Sequence, residues 1–379
     1  MRFIMRPTLF PLLLTTALLS ATYAGATAIT PLSPALPLTG AAPTCISPLV
    51  TAPLTAPTPL ALPAGVTGHV SFYAAEYDSK TRQPLRALTL GNPDDLHPTA
   101  SIFKPLILQG VLQDVDAGKL RLNTVFTTTA ANRSIEDYPA GSNSLQVLAK
   151  RAIYLSDNTA SDILHLAYGP ERLARAVRQQ SPCTSVLLTT KAWWAAQAGT
   201  IPSVMTPDTA AGARAYGAQP FAQRLLTAKA LIAASQKLTG PEVERKLDLY
   251  FNGPTYAADM EVNLQNTSTA RAYTDLMAQT LSGLALKPTT RKVFRDILAT
   301  GCCRPKTPKL NATYWAAKAG SGWGILTLTG YVETGDGRTF AYTYLNNGSV
   351  TTDAEEMEKQ IRPLVLWIEQ NLQTLRTLR

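Results

Sequence analysis

The chain has 379 residues, of which 45% are hydrophobic, so it is long and apolar enough to bury a sizeable core. Its formal net charge is +9, but no arginine-rich run or basic-aromatic stripe accompanies this excess. Because such diffuse charge mostly solvates a surface, we expect no nucleic acid partner.

The first 28 residues have the pattern of a secretory signal peptide. Arg2 and Arg6 precede an apolar run from Leu9 to Leu19, and Ala26-Thr27-Ala28 offers small residues for cleavage. The run is too short for a membrane span, and no later stretch reaches eighteen apolar residues. We expect a secreted or periplasmic protein without a membrane span, with a charge of +7 once both arginines are removed.

Residues 29–65 form a proline-rich, apolar leader. No charged residue occurs between Arg6 and Glu76, and nine prolines lie between residues 31 and 63. Proline at this density blocks both helices and central strands, so we predict an extended leader followed by one domain over residues 66–379.

The remaining chain predicts strands at both ends and helices between them. Residues 68–90 predict two strands around a polar turn at 78–83, and a buried helix follows from Ser101 to about Gly118. Residues 144–179 predict three short helices, and a mostly helical middle follows. Three strands after residue 310 and a helix from Asp353 to Leu375 complete an α+β fold, in which both chain ends build one antiparallel five-stranded sheet packed against helices.

The four cysteines, Cys45, Cys183, Cys302 and Cys303, suit disulfide bonds in an exported protein. A bond between the neighbours Cys302 and Cys303 would be strained, since adjacent Cα atoms lie at the short limit of disulfide reach. We therefore predict that Cys45 and Cys183 each pair with one member of that neighbouring pair. A zinc site is the alternative, but C-x-x-C spacing is absent.

Three short motifs carry possible chemistry. Ser101 and Lys104 lie three residues apart at a helix start, where a neutral lysine could take the serine proton. Ser156-Asp157-Asn158 lies between two helices, and Lys318-x-Gly320 ends a strand near the carboxyl terminus. Each motif also has an ordinary interpretation, respectively a helix cap with a solvent-exposed lysine, a second helix cap and a hairpin turn.

The order and setting of the motifs are more specific than any one of them. S-x-x-K after a strand pair, S-D-N between helices and K-x-G at a late strand resemble class A β-lactamases and penicillin-binding proteins, the class A enzymes most closely. The resemblance covers about residues 66–180 and 266–376. It implies a β-lactamase/transpeptidase-like fold with a large all-helical subdomain and a serine hydrolase that needs no metal or cofactor.

The resemblance also implies a role for each motif residue. Ser101 would be the nucleophile and Lys104 its general base, while Ser156 would pass a proton to the leaving nitrogen. Asn158 would hold the acyl amide, and Lys318 would steer the substrate carboxylate. The backbone N–H groups of Ser101 and Ser321 would form the oxyanion hole, with Gly320 between Lys318 and Ser321.

Two departures from the family pattern bear on function. Ala319 stands where the family has threonine or serine, which makes the Ser321 hydroxyl the candidate replacement. The glutamate that activates the deacylating water is also not obvious, since "ARAY" occurs at both 213–216 and 270–273. The second copy matches the family better, which makes Glu261 in "EVNLQN" the candidate base and leaves about residues 206–260 as an insertion.

The expected function follows from how the acyl group would be removed. With Glu261 in place, the protein would be a class A β-lactamase, a monomer that acts on β-lactams or peptidoglycan-like acyl substrates. Without it, the protein would be a penicillin-binding acyl trap or D-Ala-D-Ala peptidase, or an esterase with slow deacylation. A catalytically inactive cell-wall-binding or sensor module is the remaining alternative.

Overall fold

The computed structural model describes residues 43–46, 58–205 and 209–377. The predicted signal peptide and most of the predicted leader lie outside these residues. Within the described part of the chain, no helix combines the length and apolar character needed to cross a membrane.

The order of the elements follows the sequence prediction: long strands occur near both ends of the domain, and helices make up most of the segment between them. In chain order they are β1 (His69–Tyr77), β2 (Pro84–Leu90), β3 (His97–Pro98), a 3₁₀ helix (Ala100–Phe103), α1 (Lys104–Asp116), β4 (Val125–Thr127), β5 (Ser142–Ser144), α2 (Leu145–Lys150), a π-helical turn (Arg151–Leu155), α3 (Asn158–Tyr168), α4 (Pro170–Gln180), α5 (Thr190–Gln197), α6 (Thr209–Ala218), α7 (Phe221–Ser235), α8 (Gly240–Phe251), α9 (Asp259–Leu264), β6 (Thr267–Ser268), α10 (Ala270–Thr280), α11 (Pro288–Ala299), β7 (Ala312–Gly322), β8 (Ile325–Thr334), β9 (Thr339–Asn347), α12 (Ala354–Lys359) and α13 (Ile361–Thr377).

The predicted five-stranded antiparallel sheet is confirmed. Its strand order is β2-β1-β9-β8-β7, so the strand pair from the start of the chain joins the three strands from its end. The joint is the antiparallel pairing of β1 with β9, which runs from His69 opposite Asn347 to Tyr77 opposite Thr339.

Both faces of the sheet are covered, because successive side chains of a strand point to opposite sides. In β1, Tyr73 and Ala75 belong to the larger hydrophobic core, which includes the helices of the chain middle. Phe72 and Ala74 face a second core that includes Trp367 and the other buried hydrophobic residues of α13. The sheet thus separates the helical body from the carboxyl-terminal helices.

The carboxyl-terminal helix is broken, which the sequence analysis did not predict. The structure has α12 and α13 in place of one helix from Asp353 to Leu375. Pro363 accounts for the break, because it has no N–H with which to continue the hydrogen bonding of α12. The interruption places Glu358 at the end of α12.

The predicted cysteine pairing is wrong. Cys45 bonds to Cys183, with Cα atoms 5.6 Å apart, and Cys302 bonds to its neighbour Cys303. The backbone of residues 43–46 pairs with residues 94–96, and the fold brings Cys183 within reach of Cys45 there. No cysteine is free, so none is left for the alternative zinc site.

Candidate active site

The three motifs of the sequence meet at the edge strand β7. In a strand, alternate residues share a face, so Lys318 points to the same side as Ala316, toward the helical body. Ala317 and Ala319 belong to the core on the other side. The alternation of side chains along β7 therefore directs Lys318 toward the start of α1 and the turn before α3.

Ser101 lies in the 3₁₀ helix that leads into α1, and it is partly exposed. The preceding residue, Ala100, has a φ of 43°, a left-handed conformation that an alanine rarely adopts. Two hydrogen bonds hold this segment, from the Tyr273 hydroxyl to the Ile102 carbonyl at 2.7 Å and from Thr327 Oγ1 to the Thr99 carbonyl at 3.0 Å. The surrounding structure thus maintains a strained backbone beside the predicted nucleophile.

Gly320 permits β7 to approach this segment closely. A Cβ atom added at residue 320 would collide with the Ser101 backbone nitrogen and lie 2.9 Å from Ala100 Cβ. Only glycine therefore fits between the strand and the serine. This close approach brings together the two regions whose N–H groups we predicted as the oxyanion hole.

Both interpretations of the Ser156-Asp157-Asn158 motif apply, to different residues. Asp157 is the N-cap of α3, where its side chain accepts from the Ala160 N–H at 2.8 Å. Ser156 has a left-handed conformation with φ 55°, which reverses the chain between the π-helical turn and α3. The cap and the reversal leave Ser156 and Asn158 facing the buried end of Lys104.

Lys104 and Lys318 share the Ser156 hydroxyl group. Lys318 Nζ donates to Ser156 Oγ at 2.9 Å, and Lys104 Nζ lies 3.2 Å from the same oxygen. Lys104 also donates to Asn158 Oδ1 at 2.9 Å and to the Ser156 carbonyl. The structure thus joins four of the predicted residues, while the described hydrogen bonds of Lys104 do not include the Ser101 hydroxyl.

Burial lowers the pKa of both lysines. The pKa of Lys104 falls to about 8 because the ammonium is desolvated, although Asp157, Asp162 and Glu136 oppose the shift. Desolvation lowers the pKa of Lys318 well below its usual range, and the nearby Lys104 lowers it further. A neutral amine beside Ser156 is therefore accessible near neutral pH.

The Ser321 side chain turns away from the lysines. It shares the face of β7 that carries Ala317 and Ala319, and it donates to Glu358 Oε1 of α12 at 2.6 Å. Sequence analysis missed Glu358, because the residue belongs to no motif and lies 37 positions from Ser321. Only the break before α13 and the packing of α12 on β7 bring it to the site.

Glu136 is a second acid that sequence analysis missed. Its Oε2 accepts from Asn158 Nδ2 at 3.1 Å, and its backbone adopts a φ of 65°, which is uncommon for a non-glycine residue. Although the residue as a whole is exposed, the burial of its carboxylate raises its pKa to about 7, while Lys104 opposes the shift.

A groove of about 770 Å³ extends from these residues along the edge of the sheet. Ser156, Lys318, Gly320 and Ser321 line its inner end. Glu358 lies against Ser321 at this end, and the rest of the lining comes from the loop before β7 and from α12 and α13, including Cys302, Arg304, Lys306, Glu355, Lys359 and Arg362. The bond between Cys302 and Cys303 therefore anchors one wall of the groove, with Cys303 buried in the second core.

Glu261 lies in α9 and is buried. Its carboxylate accepts from Gln197 of α5 and from Gln265, and its burial raises its pKa to about 7. These described bonds do not join Glu261 to Lys104, Ser101 or Ser156. Glu261 as the deacylating base therefore stays a prediction.

The predicted insertion contributes to the site through aromatic contacts. Phe251, at the end of α8, stacks on Trp323 with ring centroids 4.8 Å apart, and Tyr256 packs edge-on against the same indole. Trp323 follows Gly322 directly in the turn from β7 to β8. The segment we assigned to an insertion thus supports the turn that ends the site strand.

Comparison with known proteins agrees with this architecture. The model of the β-lactamase enzyme family matches residues 61–365. No curated protein matches the chain in sequence.

Solved structures show the same fold. A variant of the class A β-lactamase of the last common ancestor of Gram-negative bacteria is 19% identical, with a TM-score of 0.51 over 81% of this chain and 94% of the other. A β-lactamase from Xanthomonas campestris has 18% identity and a TM-score of 0.51, over 81% of this chain and 93% of its own. PBP-A has 17% identity and the same TM-score, over 82% and 93%.

At these identities, the solved structures establish the fold alone. The family model covers most of the sequence, including all three motifs and both sheet-forming ends of the chain. The chain therefore belongs to the β-lactamase enzyme family.

Proposed function

We propose that the protein is an exported serine hydrolase of the class A β-lactamase type, which opens β-lactam rings through an acyl-enzyme at Ser101. The observation that carries the proposal is the Ser156 hydroxyl held between two buried lysines, 2.9 Å from Lys318 Nζ and 3.2 Å from Lys104 Nζ. A structural serine needs no such pair, whereas proton transfer during acylation does. The signal-peptide pattern supports export.

In the proposed acylation, neutral Lys104 takes the Ser101 proton and Oγ attacks the lactam carbonyl carbon. The N–H groups of Ser101 and Ser321 stabilise the oxyanion, a contribution on the order of 3 kcal/mol per donor. The C–N bond then breaks, and the leaving nitrogen takes a proton from Ser156, which Lys104 or Lys318 replaces. Water finally cleaves the acyl ester and regenerates Ser101.

A second candidate is a penicillin-binding type of acyl trap, which is acylated in the same way but releases the acyl group slowly. The position of Glu261 favours this alternative, since its carboxylate bonds to Gln197 and Gln265 rather than to Lys104. The two candidates differ only in the step after acylation.

The test is intact-mass spectrometry over time after addition of a penicillin, combined with hydrolysis of a chromogenic cephalosporin. A transient adduct with steady turnover identifies a β-lactamase, and a lasting adduct identifies an acyl trap. Ser101→Ala should lose both adduct and turnover. A wild-type protein that forms no adduct and hydrolyses no cephalosporin would contradict both candidates.

A further inference from the structure

Two carboxylates occupy hydrogen-bonding positions that the proposed reaction reserves for substrate. Asn158 Nδ2, the proposed donor to the acyl amide, donates to Glu136 Oε2 at 3.1 Å. The Ser321 hydroxyl, the candidate replacement for the hydroxyl missing at Ala319, donates to Glu358 Oε1 at 2.6 Å. Substrate can use these groups only by displacing or accommodating the two acids.

The acids come from separate parts of the chain, and each lies near one of the reactive lysines. Glu136 precedes β5 and lies close enough to Lys104 to affect its protonation. Glu358, in the last turn of α12, affects Lys318 in the same way, and the two carboxylates also repel each other. The acids thus border the site, within electrostatic range of both its bases and one another.

Near pH 8, the charge balance around Asn158 and Ser321 favours a negative potential. Burial lowers the pKa of both lysines, that of Lys104 to about 8, and raises that of Glu136 to about 7. Near pH 8 the Glu136 carboxylate is therefore mostly ionised while Lys104 is only about half protonated, and the two acids are held by Asn158 and Ser321. A substrate that brings another carboxylate must overcome repulsion from both acids. A substrate cation instead gains an attraction in a partly desolvated site.

We propose that Glu136 and Glu358 are specificity-determining residues that favour acyl substrates carrying a positive charge near the scissile carbonyl and disfavour those carrying a carboxylate there. This inference rests on the proposed function, because it needs acylation at Ser101. It also implies that β-lactams, which carry a carboxylate, acylate Ser101 more slowly than a cationic substrate of equal intrinsic reactivity.

The cationic residues of the outer groove would favour the opposite selectivity, for an anionic substrate. Arg304, Lys306, Lys359 and Arg362 line the groove, and all four are exposed. If these cations controlled selectivity, an anionic substrate would react fastest. The two acids accept hydrogen bonds from Asn158 and Ser321, whereas none of the four cations has a described hydrogen bond to either residue, so we expect the acids to prevail.

The test uses three p-nitrophenyl esters of similar size and different charge. The acyl groups are 4-(trimethylammonio)butyrate, its neutral isostere 5,5-dimethylhexanoate, and glutarate with one free carboxylate. Each ester acylates Ser101 with release of p-nitrophenolate, and water then releases the acid. Release in the presence of Ser101→Ala is subtracted, because the free carboxylate of the glutarate ester also expels p-nitrophenolate without the enzyme. The second-order rate constant for release is measured at pH 8, above the pKa of about 7 that burial gives Glu136.

In wild type, we expect the cationic ester to react at least about tenfold faster than the anionic one, with the neutral ester between them. Glu136→Gln and Glu358→Gln should each reduce this ratio about threefold, and the double variant should nearly abolish it. Glu355→Gln is the matched control, because Glu355 lines the same groove on α12 and is exposed. It should leave the ratio within about twofold.

Ser101→Ala separates the inference from the proposed function. If release of p-nitrophenolate does not depend on Ser101, the proposed function fails, and the selectivity claim fails with it. If release depends on Ser101 but shows no charge preference, an anionic preference, or a preference that both Gln variants retain, the selectivity claim alone is overturned. Thermal melting of each variant checks that its fold is intact.

Discussion

At the scale of single residues, the site depends on two lysines that are buried without a direct carboxylate partner in the described structure. Desolvation penalises their charged forms, and the Ser156 hydroxyl lies between the two amines. The same burial would be unfavourable for lysines with a purely structural role. In the proposed mechanism, this burial favours the uncharged amine that accepts the Ser101 proton.

The pH dependence of acylation should report this amine. Burial lowers the pKa of Lys104 to about 8, so the neutral form increases as pH rises from 6 to 9. The acylation rate should therefore rise with pH, by about tenfold per unit below pH 8, and level off above it. Stopped-flow measurement with a neutral ester checks this, and a rate that is flat or falls over that range would count against Lys104 as the base.

Gly320 offers a steric test at the same scale. Gly320→Ala should reduce kcat/KM by at least about 100-fold, because its Cβ would push β7 away from the Ser101 nitrogen and disturb the oxyanion hole. Gly322→Ala is the control, since a Cβ there would meet only Ile325 carbon atoms, at 3.7 and 3.8 Å. Equal losses in the two variants would show that Gly320 has no special position.

At the scale of elements, the sequence predicts the strands and the motif residues of the site but not the acids that contact them. Alternating apolar residues predict the strands, and the three motifs predict Ser101, Lys104, Ser156 and Lys318 as site residues. The contacts of Glu136 and Glu358 are not predictable in this way, because each joins residues 22 or more positions apart through packing of separate elements. The pairing of Cys45 with Cys183 likewise depends on tertiary packing, because residues 43–46 pair with residues 94–96.

Helix α9 carries Glu261, and a single variant tests whether this residue is the deacylating base. Glu261→Gln should prolong the acyl-enzyme if Glu261 is the deacylating base. If it leaves the lifetime of the adduct unchanged, the register that assigns Glu261 is wrong. Mass spectrometry of the adduct over time gives the answer.

The same variant has a predicted stability profile. The carboxyl ionises near pH 4.5 in the unfolded chain and near 7 in the fold, so its contribution to stability is present below pH 4.5 and is lost as pH rises through 7. Between pH 5 and 8, the free energy of unfolding of Glu261→Gln should thus rise relative to wild type, by on the order of 2 kcal/mol. Urea unfolding measures the change, and a difference that stays constant over this pH range would contradict the assignment.

At the scale of the whole molecule, the chain ends build the sheet and the middle builds the helical body, with the site at their junction. The disulfide from Cys45 to Cys183 connects the leader to this body and closes a loop with a sequence separation of 138. The disulfide between Cys302 and Cys303 spans a single peptide bond and constrains only the groove wall.

The two disulfides should therefore differ in their effect on global stability. Cys45→Ala with Cys183→Ala should lower the free energy of unfolding by about 2–5 kcal/mol, because the long loop gains entropy when the chain unfolds. The Cys302→Ala, Cys303→Ala variant should change it by less than about 1 kcal/mol, since almost no loop is released. Thermal melting under non-reducing conditions compares them, and equal losses would contradict this account.

The most direct test of the central claim is peptide mapping by mass spectrometry after brief exposure of the whole protein to a penicillin. We predict one covalent adduct, of the mass of the intact penicillin, on the peptide that contains Ser101, and none in Lys104→Ala within the same time. Modification of any other residue, or an unmodified Ser101 peptide at saturating penicillin, would contradict the assignment of Ser101 as the acylated nucleophile.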